Sequence, residues 1–278
     1  MDASTFLASK TFNRSLNLTP NLNSRASKWL HRMASSITTT TTTTTCNLRS
    51  PPPEDDREPG LPSDWRSFRA SLVAGERTAG TTETMARQPI LGDRWGHPLR
   101  EPEKGCLLIA TEKLDGVHIF ERTVVLLVST ASPCPAGVIL NRPSLMSIKE
   151  MKSTSFNIYD MFSDRPLFFG GPLKEGLFLV SSRRGGECGV FEEVVEGLYY
   201  GRKESVGCGA EMVKRNVVEA ADFKFFDGYC GWETDQLKEE IEEGYWNVAA
   251  CSLGVVEMSS SELWEEASGL FGKKKNLW

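Results

Sequence analysis

From residue 105 onward, short apolar runs alternate with glycine- and proline-marked breaks. Cys106–Ala110, Thr123–Val128, Ala136–Leu140, Leu167–Phe169, Leu177–Val180 and Gly197–Tyr200 are continuous apolar stretches, too short for buried helices, and each predicts a buried strand. Thr123–Val128 is the most β-branched of them. Gly176 precedes Leu177, which predicts a hairpin between Leu167–Phe169 and Leu177–Val180. Helical spacing appears in four other places. After a Ser63-Asp64 cap, Trp65, Phe68, Leu72 and Val73 share one face. Ile148–Phe162 predicts a broken helix marked by Ile148, Met151, Ile158 and Met161. Ala210–Ala221 predicts another, with Met212, Val213 and Val217, and Ser260 or Ser261 opens a last one holding Leu263, Trp264, Leu270 and Phe271. Leu114–Arg122 is a connecting loop, and the polar Gly75–Gln88 stretch predicts a mobile one.

The segment Phe225–Cys251 reads as strand, turn, helix, turn, strand. Asp227-Gly228 and Gly231 punctuate the first turn, where glycine allows backbones to approach closely. Thr234 is the expected N-cap, with Asp235 in the first turn, and Leu237 and Ile241 lie one turn apart. Gly244 stands where a C′ glycine belongs, and Tyr245-Trp246 re-enters a strand. The acidic remainder leaves only a narrow apolar stripe. Trp232 and Trp246 are placed to clamp the two ends. One reading is a packed supersecondary unit; the sharper one is a surface groove with Gln236 and Glu240 on its lip.

Strands come in groups with helices interspersed and no strict βαβ alternation. This predicts an α+β fold with a mixed, largely antiparallel sheet. Residues 1–53 are Ser/Thr/Asn-rich and basic, with Asp2 the only acid and an unbroken threonine run from Thr38 to Thr45. That composition predicts an organelle transit peptide, for the chloroplast stroma rather than the mitochondrion. Met33-Ala34-Ser35-Ser36 resembles a transit start in its own right, so initiation at Met33 instead of Met1 is a hypothesis; precursor peptides from residues 1–32 would remove it. Pro51-Pro52-Pro53 and the acids after it end the targeting region. Residues 54–103 form an arm expected to dock Trp65 and Phe68 on the main domain, 104–272, and 273–278 is a cationic tail.

The net charge of −5 and a pI near 5.5 argue against a phosphate-tracking surface, so no direct nucleic-acid partner is expected. No run of about 20 apolar residues predicts a membrane span. None of the seven cysteines forms a CxxC pair. Cys230, in the glycine turn, is the thiol to watch. His97 and His118 are the only histidines past the transit region, too few for a triad or metal site without help, and no cofactor is expected. Gly207-Cys208-Gly209 is half a dinucleotide fingerprint and reads as a helix entry. The polar pair that attracts attention is Asn141-Arg142, delivered at a strand end with Pro143 fixing the exit. Arginine offers a planar fork to a carboxylate or phosphate. Gly170-Gly171, with free N–H groups, is the expected opposite wall. The competing structural reading has Asn141 capping a turn and Arg142 paired with Asp227 or Glu240.

Several blocks resemble the AlgH-like family: Gly228-Tyr229-x-Gly231-Trp232, Gln236-Leu237, Glu240-Ile241 and Trp246; Lys104–Ala110; Phe120-x-x-Thr123-Val124-Val125; Gly137 to Asn141-Arg142-Pro143; Gly170-Gly171-Pro172; and Leu263-Trp264. They run in order from about 104 to 271. The resemblance implies an α+β fold whose sheet curls into a partial barrel, in a family with bacterial members linked to regulation of gene expression and plant members carrying plastid extensions. Asp115–Phe120 departs from it, being longer than the bacterial Asp-Pro-x-Phe form. The function expected is a non-catalytic binding or regulatory module that presents Asn141, Arg142, Gly170, Gly171, Trp232, Gln236 and Glu240 to a protein or a small anion. The alternative is an enzyme on a small anionic substrate anchored by Arg142.

Overall fold

The computed structural model describes residues 65–78, 92–131, 134–150 and 160–271. The transit region with Met33, the Ser63-Asp64 cap and the 273–278 tail lie outside them. All described residues belong to one unit, Arg49–Trp278. Among the described residues twelve strands form two open six-stranded sheets.

The first sheet runs β1 (Gly96–Pro98), β12 (Trp246–Cys251), β2 (Leu107–Ala110), β3 (Val124–Ser129), β4 (Ala136–Ile139) and β11 (Cys230–Gly231), every neighbour antiparallel. The second runs β5 (Pro143–Ser147), β6 (Pro166–Phe169), β10 (Phe223–Asp227), β7 (Leu177–Ser181), β9 (Leu198–Arg202) and β8 (Glu192–Val195). Among the described residues only β6 and β10 pair in parallel. The α+β class with largely antiparallel sheets is therefore correct, and the sheets are not closed into a barrel.

Alternation along the strands builds two cores. Leu107, Ile109, Leu126 and Val138 of the first sheet meet Leu177, Leu179, Leu198 and Phe226 of the second, capped by Val255 and Val256 of α4 (Leu253–Val256) and by Leu263 and Ala267 of α5 (Leu263–Phe271). On the other face of the second sheet, Phe178, Phe223 and Phe225 pack with Phe162 and with Val206, Ala210 and Met212 of α2 (Val206–Lys214). Strand β7 is covered on both faces, so Leu177–Val180 is an unbroken apolar run. The first sheet's outer face carries Leu108, Val125, Leu127 and Trp246 and is crossed by α3 (Thr234–Glu242).

Five expectations are corrected. Strand β7 is not a hairpin partner of β6, because β10 inserts between them. Ile148–Phe162 is not one helix: short 3₁₀ turns occupy Ile148–Glu150 and Asp160–Phe162, and 151–159, with Met151 and Ile158, fall outside the described residues. The Ala210–Ala221 helix starts earlier and stops at Lys214, with Asn216 at φ 55° ending it. The arm helix α1 (Trp65–Thr78) covers the start of the predicted loop and leaves Trp65 61% exposed. Phe68 is half-buried and Ala70 buried, and two cations add to the anchoring. Arg66 donates to the Gly105 carbonyl at 3.0 Å, and Arg69 binds both oxygens of Glu103 and reaches Nε2 of His97 at 3.3 Å. His97, placed by the sequence outside the main domain, is buried in β1 and paired with β12.

Candidate functional site

The acidic helix is held from below. Its N-cap is Glu233 rather than Thr234, and the Gln236 side chain reaches back to accept from the Glu233 N–H at 3.3 Å. Gly244, at φ 75°, ends it as expected, donating to Ile241 while Tyr245 donates to the Glu240 carbonyl. Gln236 and Glu240, one turn apart, are 7% and 4% exposed, which overturns the groove-lip reading. Glu240 Oε2 accepts from Trp232 Nε1 at 3.0 Å and Trp246 Nε1 at 2.9 Å, while Oε1 accepts from Gln236 at 2.9 Å. The indoles meet edge to face at 6.4 Å. The clamp by the two tryptophans exists, and a buried carboxylate is its hub.

Asn141 and Arg142 form a neighbouring clamp. Asn141 Oδ1 accepts from the Val124 N–H at 3.0 Å and Nδ2 donates to the Arg122 carbonyl at 2.9 Å. Arg122 has φ 51°, outside the usual range for a side-chain-bearing residue, and Asn141 is the group that holds this turn. Arg142 Nη2 donates to the Glu121 carbonyl, not to Asp227 or Glu240. Phe120, in the same turn, packs edge-on to Trp246 at 5.8 Å, so the two clamps stand back to back. The glycine wall is also structural. The Gly170 N–H donates to Asp227 and its carbonyl accepts from Ile139, both at 2.9 Å, so that N–H is not free for a ligand. A Cβ on Gly170 would lie 2.2 Å from the Gly228 carbonyl, and one on Gly171 2.3 Å from Tyr229 backbone. Cys230 is buried against the Gly170 carbonyl, and burial pushes its thiol pKa up, so its turn does not activate it. His118 is exposed. Among the described residues no group of three or more His, Cys, Asp or Glu could hold a metal.

A different place offers unspent chemistry. A cleft of about 490 Å³ opens over β6, β10 and β7 against the segment after α4. Lys224 and Arg165 line it, with Phe168, Leu179 and Met258 as apolar walls. Lys224 lies on β10 between Phe223 and Phe225 and so points to their opposite face, beside Phe226. Its Nζ stands 4.3 Å from the Phe168 ring centroid and donates to the Leu140 carbonyl at 3.1 Å. Burial lowers its pKa to about 8. Arg165 Nη2 donates to the Ala221 and Phe223 carbonyls, and its buried Nε has no acceptor among the described residues. Asp222 and Glu257 are the acids of the lining. The sequence signal was present: a lone cation inside FKFF, between the aromatic residues of the strand.

The AlgH-like family model matches residues 107–276, and the chain belongs to that family. A UPF0301 protein of Chlorobaculum tepidum is 34% identical over 149 residues, covering 53% of this chain and 75% of the relative. One from Bacteroides fragilis is 28% identical over 64% of this chain and 87% of its own. Among solved structures, the AlgH protein of Pseudomonas aeruginosa superposes with TM-score 0.48 at 20% identity, over 62% of this chain and 92% of that one. Protein DIP2367 of Corynebacterium diphtheriae gives 0.49 at 23%, over 60% and 86%.

Proposed function

We propose that this AlgH-like chain is a non-catalytic binding module of the plastid, and that its ligand is a small anion held in the Lys224–Arg165 cleft. The observation that carries this is Lys224. Its cation is half-buried on an aromatic face with one carbonyl acceptor, and no carboxylate within ion-pair distance among the described residues. A desolvated, uncompensated cation in a cleft is stabilised by an incoming anion. The transit-like composition of residues 1–53 supports the compartment. An enzyme anchored by Arg142 has less support, since Arg142, Asn141 and Glu240 are all engaged in holding the fold.

Thermal-shift titration with inorganic phosphate, sulfate, citrate and pyruvate at pH 7 tests this. At least one anion should raise the Tm of the wild-type protein and leave Lys224→Met unmoved. No shift with any of them, or equal shifts in both proteins, overturns the assignment.

A further inference from the structure

We propose that the anion is a small 2-oxo acid, which Lys224 holds as a reversible imine while Arg165 takes the carboxylate; this rests on the cleft being the ligand site. The lining suits such a ligand better than a bare oxoanion. An inorganic oxoanion favours hydrated, fully charged donors or a nest of N–H groups. Here the wall is half apolar, with Pro166, Phe168, Leu179 and Met258, and carries one dehydrated amine and one guanidinium fixed by two backbone carbonyls. A planar body with a carbonyl beside a carboxylate matches all three features.

The chemistry closes on groups already present. The Nζ lone pair adds to the ligand's carbonyl carbon, the carbonyl π pair moves to oxygen, and that oxygen takes the proton that the now four-bonded nitrogen releases. The resulting carbinolamine loses water as the C=N bond forms, so amine and ketone give imine and water with no change in oxidation state. A neutral amine keeps a hydrogen for the Leu140 carbonyl and has its lone pair available. Apolar burial is a recognised way of activating a lysine for imine formation. The lowering from 10.5 to about 8 makes the neutral fraction at pH 7 roughly three hundredfold larger than for a surface lysine. The charged groups around the cleft are Arg165, Asp222 and Glu257, and burial is what lowers the Lys224 amine.

The test is reductive trapping. The full chain is incubated with pyruvate and cyanoborohydride at pH 7, then read by intact mass and peptide mapping. The expected result is one reduced adduct on Lys224, with exposed Lys238 labelled far more slowly and Arg165→Gln trapping less. Lys224→Arg keeps the charge and forms no imine, so it should still show an anion-dependent Tm shift and no adduct. Labelling of Lys224 no faster than Lys238 overturns the imine. If anions still shift the wild-type Tm through Lys224 in that case, the cleft stands without covalent capture. If they do not, both fall together.

Discussion

Glu240 is buried with three hydrogen-bond donors aimed at its carboxylate. Glu240→Ala leaves two indole N–H groups and an amide without acceptors, and each orphaned buried group costs about 1–3 kcal/mol. The variant should lose roughly 3 kcal/mol or more in urea unfolding, and Glu240→Gln less; a loss under about 1 kcal/mol would show the hub to be incidental. The cysteines divide by burial. Burial raises the Cys106 and Cys251 thiols to about 12 and raises Cys230 as well, while Cys134 is exposed. A maleimide reagent on the native protein should therefore label Cys134 well before those three, and early labelling of Cys230 would contradict its placement. Lys224 has its pKa depressed on folding, so between about pH 8 and 10.5 the unfolded chain binds more protons than the native one. The burial penalty is felt in full below about 8, and stability rises as the pH passes upward through that window. Lys224→Met should remove this component, seen as a flatter pH dependence than the wild type over the same range. At this scale the sequence was partly legible. Asn141 was readable as a turn cap, but its true partners, Val124 and Arg122, come from a distant turn. Arg142 invited an acidic partner and took a carbonyl. Lys224 drew no reading from the sequence, because a lone cation in a strand is a signal whose meaning depends on which face of that strand meets a cleft.

Among the elements, the Gly170–Gly171 and Gly228–Cys230 crossing is the tightest contact. Gly228 has φ 82°, and a Cβ there would lie 2.2 Å from the Gly171 carbonyl and 2.6 Å from that of Leu173, both backbone that cannot swing aside. Gly228→Ala should abolish or severely weaken folding. Gly207, exposed in α2 with nothing within 4 Å of its Cβ position, is the opposite case: Gly207→Ala should stabilise by about 0.5–1 kcal/mol through helix propensity. Circular dichroism melts of the two variants check both directions. The strands from Leu107 to Ile139 and the strand–helix–strand order of Phe225–Cys251 were legible, because apolar runs and glycine punctuation are local signals, while Cys230-Gly231, read as part of a turn, is the edge strand β11. The insertion of β10 between β6 and β7 was not, because pairing across more than forty residues leaves no local mark. Edge strands β1, β5 and β8 were missed for another reason: they are short and half polar, as edges tend to be.

For the whole molecule, the two sheets share one core, and most polar groups at the family's sequence blocks serve to lock that core. Asn141, Arg142, Gly170 and Glu240 tie turns and a helix to the sheets, so their grouping in sequence reflects folding as much as chemistry. Helix α1 adds an outer tie through Arg69, Glu103 and His97. Burial lowers the His97 pKa, consistent with a neutral ring that accepts from Arg69. No helix among the described residues is long and apolar enough to cross a membrane. The cleft at Lys224 lies where the second sheet meets the segment after α4, and it holds an amine whose pKa burial lowers.

The most direct measurement is chemical-shift mapping of the isotope-labelled protein during titration with pyruvate. Changes centred on Lys224, Arg165, Phe168 and Ser260 are the predicted result. Changes centred on Asn141–Arg142 or on α3, with Lys224 silent, would contradict it.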